Sequence, residues 1–170
     1  LADWDTPFGV PPFDVISDDD FLPAFKKAML EQRDEIAAIV NNPDAPTFEN
    51  TILELESVGG LAIKVGLVFG NLTGTELNAK KRELQGIIYP LWTRESDNIT
   101  FNDTLWNRVK TVYEARETLD LDEQQARLLE LTHRAFVRSG AALDADTKAK
   151  VAAINEELSG LTTNFGQNLL

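Results

Sequence analysis

The feature that most constrains the fold is a run of apolar residues near the end of the chain. Val151, Ile154, Leu158, Leu161, Phe165 and Leu169 step by three and four residues. That spacing sets them on one side of a helix, because an α-helix turns once in about 3.6 residues. No closing glycine, proline or basic last turn ends the stripe, and those are the ordinary stop signals. A long apolar seam with nothing to face it implies that the chain is part of something larger. The seam from Val151 to Leu169 is expected to pack against a surface outside this sequence, or to drive self-association.

The same periodicity recurs along the chain and predicts about six helices. Residues 1–16 read as an extended leader, held out of helical geometry by Pro11 and Pro12. Phe8, Phe13, Val15 and Ile16 make the leader apolar, so it is expected to pack along the rest. Ser17 followed by Asp18, Asp19 and Asp20 is a hydroxyl cap with carboxylates in the first turn, which suits the positive end of a helix dipole. Three aspartates also invite a calcium reading, but the alternating oxygens, central glycine and final glutamate of an EF-hand are missing. This first helix carries Phe21, Leu22, Phe25, Met29, Ile36 and Val40 and stops before Asn41, Asn42 and Pro43.

Pro46 and Thr47 announce a second helix. It is apolar on two adjoining stripes, one through Ile52, Leu55, Gly59, Ala62, Gly66 and Phe69, the other through Val58, Leu61, Val65, Val68 and Leu72. A helix apolar over so much of its circumference is expected to be central and the most buried. Gly59, Ala62 and Gly66 leave a smooth strip for a close neighbour, and Gly59–Gly60 is either such a packing site or a kink. A third helix is predicted from about Thr75 to Asp97, with Leu77, Leu84, Ile88, Leu91 and Glu95 on one face and Pro90 as a kink. A fourth starts near Asn102 or Asp103 and uses Leu105, Val109, Val112 and Tyr113. The fifth starts at Asp120 or Asp122, uses Leu128, Leu129, Thr132, Ala135 and Phe136, and ends at a left-handed Gly140. Asp144 caps the sixth. The fold class is all-α: residues 17–170 form a single helical domain, a bundle with antiparallel neighbours and a long C-terminal helix.

Composition excludes several functions. Sixteen basic against 28 acidic residues give a net charge of -12, whereas nucleic-acid binding needs a basic surface to neutralise phosphates. The same charge disfavours anionic lipid. The apolar stretch at residues 57–75 holds Lys64 and five glycines, which suits a buried helix better than a membrane span. There is no cysteine, so no disulfide, thiolate nucleophile or cysteine metal site exists. His133 is the single histidine. An HExxH zinc site needs two histidines on one helical face, and the Glu130–His133 spacing is half of what a di-iron bundle uses. No nucleophile elbow or phosphate loop accompanies it. Asn71, Asn98 and Asn102 begin permissive Asn-x-Thr triplets of little weight. Trp4, Trp92 and Trp106 are scattered and read as packing anchors. No residue is assigned a catalytic, cofactor-binding or metal-binding role.

Three segments together carry a resemblance. The leader PFGVPPFDVISDDDFLPAFKKAM, the segment PTFENTILELE at residues 46–56, and HRAFVRSGAALDADTKAKVAAINEELSGLTTNFGQNLL at residues 133–170 stand in order along the chain. They resemble the N-terminal part of the thimet oligopeptidase and peptidyl-dipeptidase family of zinc metallopeptidases, the bacterial peptidyl-dipeptidase branch most of all. The resemblance implies the N-terminal helical lobe of a larger, two-lobed enzyme with a substrate channel between the lobes. It implies zinc in the full-length parent but none in this chain, because the family's zinc motif lies far beyond residue 170. The implied partners are the missing C-terminal catalytic lobe and short peptide substrates, and the implied location is cytoplasmic, with a periplasmic or exported one left open. Neither His133, Tyr89 nor Tyr113 matches a family site residue. The competing reading is a free-standing helical domain that holds a peptide or partner helix in an apolar groove.

Overall fold

All the long helices but the one at Gly60–Thr75 begin at a polar side chain that caps the first turn, where backbone N–H groups lack helical partners. The computed structural model describes residues 4–169, and among them there is no strand. Helix α1, Asp18–Val40, starts at Ser17, whose N–H and hydroxyl both donate to the Asp20 carboxylate at 2.8 and 2.9 Å. Thr47 and Asn50 cap each other at the start of a π-helical turn, Phe48–Leu53, that leads into the short α2, Glu54–Ser57. Asn78 accepts the Lys81 N–H at the start of α4, Ala79–Thr100. Asn102, Asp122 and Asp144 do the same for α5, Asp103–Glu114, α6, Glu123–Arg138, and α7, Ala145–Asn168.

The long second helix is in fact divided. Val58 is extended and Gly59 takes φ 81°, so the chain turns before α3, Gly60–Thr75. Only glycine fits there. A Cβ at Gly59 would lie 2.7 Å from the Gln32 amide nitrogen, and its N–H donates to Glu35 at 2.7 Å. The next helix begins at Ala79 rather than near Thr75, because α3 itself runs to Thr75 and Asn78 supplies the new cap. Pro90 lies inside α4, which is one continuous helix. Gly140, at φ 93°, closes the end of α6.

The pairs α1/α3, α3/α4 and α5/α6 run antiparallel, as contacts along them show. Phe69 of α3 meets Phe21 and Phe25 near the start of α1. Gly66 and Phe69 meet Trp92 and Tyr89 of α4 in reverse order. Trp106 of α5 stacks on Phe136 of α6, and Tyr113 on His133. The first and fourth helices are consequently parallel, tied by Asp18–Lys81 at one end and Arg33–Glu95 at the other.

The core falls into three joined clusters. Phe21, Phe25, Val68, Phe69, Leu84 and Ile88 close the space between α1, α3 and α4. Phe48, Ile52, Val109, Val112 and Leu129 fill the space between the π-turn, α5 and α6. Ile36, Ile39 and Leu105 connect the two. Burial of α3 is one-sided, contrary to the expectation that it would be central: Val65 and Phe69 are buried, yet Ile63 and Leu67 face outward at 56% and 70% exposure. Arg108 spans the joint beneath the α1–α2 connection, donating to the carbonyls of Asn42 and Asp44 and to the Asn50 side chain. The leader is anchored less than its composition suggests. Ile16 and Trp4 pack on the first cluster, while Phe8, Phe13 and Val15 are exposed and Pro7–Gly9 forms one 3-10 turn.

Candidate functional site

The titratable and aromatic residues singled out by the sequence are mostly occupied in holding the fold. Asp18 accepts from Asn78 at 2.7 Å and pairs with Lys81 at 3.0 Å, and these partners hold its carboxyl below the ordinary carboxylate range. Asp20 is the capping residue, and Asp19 faces Lys80 at the surface. The three aspartates therefore take separate partners. Glu130 receives Arg127 and Arg134 and turns away from any metal role. Glu156 and Glu157 are exposed on α7.

His133 lies in an aromatic stack. Its ring is 3.7 Å from Tyr113 at an interplanar angle of 5°, and 5.2 Å from Trp106. Arg116 covers the Tyr113 ring at 4.4 Å. Burial lowers the imidazole pKa below its ordinary value, with the Arg116 charge acting in the same direction. No carboxylate or hydroxyl is hydrogen-bonded to it among the described contacts, so it lacks both the orienting group and the nucleophile of a catalytic histidine. Its role is that of a packed aromatic. Among the described residues, no three His, Cys, Asp or Glu side chains converge to hold a metal ion, and no helix is long and apolar enough to cross a membrane.

The surface that stands out belongs to α7. This helix lies against α4, and of its apolar stripe only Val151, half-buried beside Trp92 and Asp97, and the edge of Leu158 turn towards that neighbour. Contact is made mainly by the polar residues Asn155, Ser159, Thr163 and Gln167, while Lys148 reaches past the end of α4 to the Phe101 carbonyl. Asn155 donates to Asp97 at 2.9 Å. Near the other end, the Gln167 amide donates to the Arg82 carbonyl and to Gln85, both at 3.0 Å, while Arg82 donates to the Gln167 carbonyl at 2.7 Å. Lys148 reaches Asp103 at 2.5 Å. Burial between these helices raises the Asp97 pKa, offset in part by the Asn155 bond. With its polar side committed to α4, α7 presents Ile154, Leu158, Leu161, Phe165 and Leu169 outward, each 57–71% exposed. Beside them runs a groove of about 460 Å³ lined by Tyr89, Trp92, Leu158 and Thr162. The stripe was legible in the sequence; the polar ladder opposite it was not, because each rung pairs residues some 45 to 85 positions apart.

Among the described residues, the outward side of α7 is thus a continuous apolar face with no neighbour on it. No family model matches the chain. It is 39% identical over 164 residues to the dipeptidyl carboxypeptidase of Escherichia coli K12 and 37% identical to that of Salmonella typhimurium, in each case over 96% of this chain. It is 25% identical over 162 residues to the oligopeptidase A of Haemophilus influenzae. The chain spans about a quarter (24%) of the length of these relatives. Along nearly its whole length the chain is thus similar to the N-terminal region of dipeptidyl carboxypeptidases and oligopeptidases A.

Proposed function

We propose that this chain is the N-terminal part of a zinc-dependent peptidase acting on short peptides, and that it forms part of the wall of the substrate channel. In this reading residues 17–170 are one helical domain, preceded by the leader of residues 1–16. The observation that carries the reading is the match over 96% of the chain to dipeptidyl carboxypeptidases about four times its length. Its own residues do not fit zinc. One stacked histidine, no cysteine and, among the described residues, no converging carboxylates cannot supply a tetrahedral site. Zinc and the general base therefore belong to the rest of the polypeptide, and the contribution of this region is shape: a rigid helical wall that leaves room for an unfolded peptide.

The free-standing alternative requires the α7 seam to be covered from within the chain. The exposure of Leu158, Leu161 and Phe165 argues against it. The test is to measure bound zinc and hydrolysis of a short peptide for the 170-residue chain and for the polypeptide that continues past Leu170. Both properties are expected of the longer polypeptide and neither of the chain. Stoichiometric zinc on the 170 residues would overturn the assignment.

A further inference from the structure

We infer that the outer face of α7, with the Tyr89–Trp92 groove beside it, is the seat of an amphipathic helix from the polypeptide beyond Leu170. This rests on the reading of the chain as part of a longer peptidase and specifies how the two parts join.

The spacing of the stripe identifies the occupant as a helix. Val151, Ile154, Leu158, Leu161 and Phe165 follow one another by three, four, three and four residues, the a/d pattern of a helix–helix seam. Leu169 falls one position past the next d and marks where the seam ends. From Val151 to Leu169 the seam rises about 27 Å, or five turns. A strand or an irregular peptide would match neither the length nor the knobs-into-holes repeat. Next to it, the rings of Tyr89 and Trp92 floor a groove that Leu158 and Thr162 wall on the α7 side. Gly66 and Phe69 of α3 press on the same two rings from the other side.

Rotation of α7 cannot bury the seam. Turning the stripe inward would break the Asn155–Asp97, Gln167–Arg82 and Lys148–Asp103 contacts together and set apolar side chains against polar ones.

Two observations favour the same polypeptide over a second copy of this chain. Relatives matched along 96% of the chain continue for about three times its length again. The charge of -12 on each copy would repel across a two-fold contact. A helix tethered just beyond Leu170 starts at a high effective concentration and can lie antiparallel to α7, as its predecessors lie to one another.

The experiment uses the full-length polypeptide in a cysteine-free background, with single thiols at L161C on the seam and at A153C on the exposed flank of α7 outside it. Maleimide labelling at position 161 is expected to be at least tenfold slower than at 153. With p-benzoylphenylalanine in place of Phe165, irradiation is expected to join position 165 to a helix beyond residue 170 of the same chain. Equal labelling at the two positions would overturn the inference, as would a crosslink to a second copy or a reading frame that ends at Leu170. Hydrolysis of a short peptide, measured in the same samples, separates the two ideas. Activity without protection defeats the docking surface alone, and protection without activity defeats the peptidase assignment alone.

Discussion

The two sides of α4 are built on opposite principles. Towards α1 and α3 it offers Leu84, Ile88 and Trp92 to a dry, ring-rich space, where Phe25 meets Trp92 edge to face at 5.3 Å. Towards α7 it offers Arg82, Gln85 and Asp97, and the contact is a ladder of hydrogen bonds. Apolar packing is non-directional and stabilises in proportion to area. Hydrogen bonds each add only about 0.5–1.5 kcal/mol, but they fix register and rotation. The first side holds the fold together. The second sets the angle at which α7 displays its stripe.

That contrast can be broken at its strongest point. Phe69→Ala removes a ring in contact with Phe21, Phe25 and Tyr89 and should cost about 3–5 kcal/mol in urea unfolding of the chain. Gly66→Ala probes the same side more finely. Its Cβ would lie 2.9 Å from the Trp92 ring, so a net loss of about 1–2 kcal/mol is expected despite the better helix propensity. Gly70→Ala, with open space around it, should instead gain up to about 1 kcal/mol. Equal effects at the two glycines would mean that the α3–α4 approach is not close.

On the polar side, Gln167→Ala removes two donated bonds and should cost about 1 kcal/mol. The loss is expected as faster amide exchange confined to the end of α7, with α1 and α3 protected as before. A global loss of protection would show that the ladder carries the core after all. The smallest effect concerns His133. Its pKa is lowered in the folded chain from an unfolded value near 6.5. The unfolded state therefore takes up the proton first, and stability falls as the pH drops from about 6.5 through the folded pKa, then levels. His133→Phe should remove that part of the slope, read as the difference between the two pH profiles. Identical profiles would mean that the stack does not desolvate the imidazole.

Much of this fold is local chemistry and could be read from the sequence. The caps at Ser17, Asn102, Asp122 and Asp144 and the left-handed Gly140 depend on residues within four positions of one another. The close approach at Gly66 was legible too, since a smooth strip on a helix has few other uses. What escaped was rotation. The apolar circumference of α3 suggested burial all round, yet Ile63 and Leu67 face out, because one helix pattern does not say how many neighbours arrive. Gly59–Gly60 read equally well as a packing site or a kink, and Glu35 and Gln32 on α1 decide for the break. The surface on α7 was half visible: its stripe is a local period, but the ladder that turns it outward is a tertiary fact.

The ladder has a bearing on synthesis. In a polypeptide of the relatives' length, roughly 500 residues would still be untranslated when Leu170 leaves the ribosome, given that 164 matched residues are 24% of such a chain. At about 5–20 residues per second, Leu158, Leu161 and Phe165 would wait seconds for a covering helix that follows directly, and tens of seconds for the rest of the polypeptide. A nascent α7 fastened to α4 by amides and charges is ordered during that interval without needing its apolar face, and it cannot hide that face by collapsing inward. The vulnerability of the newborn chain is thereby confined to one straight stripe, which is where a chaperone would be expected to hold it.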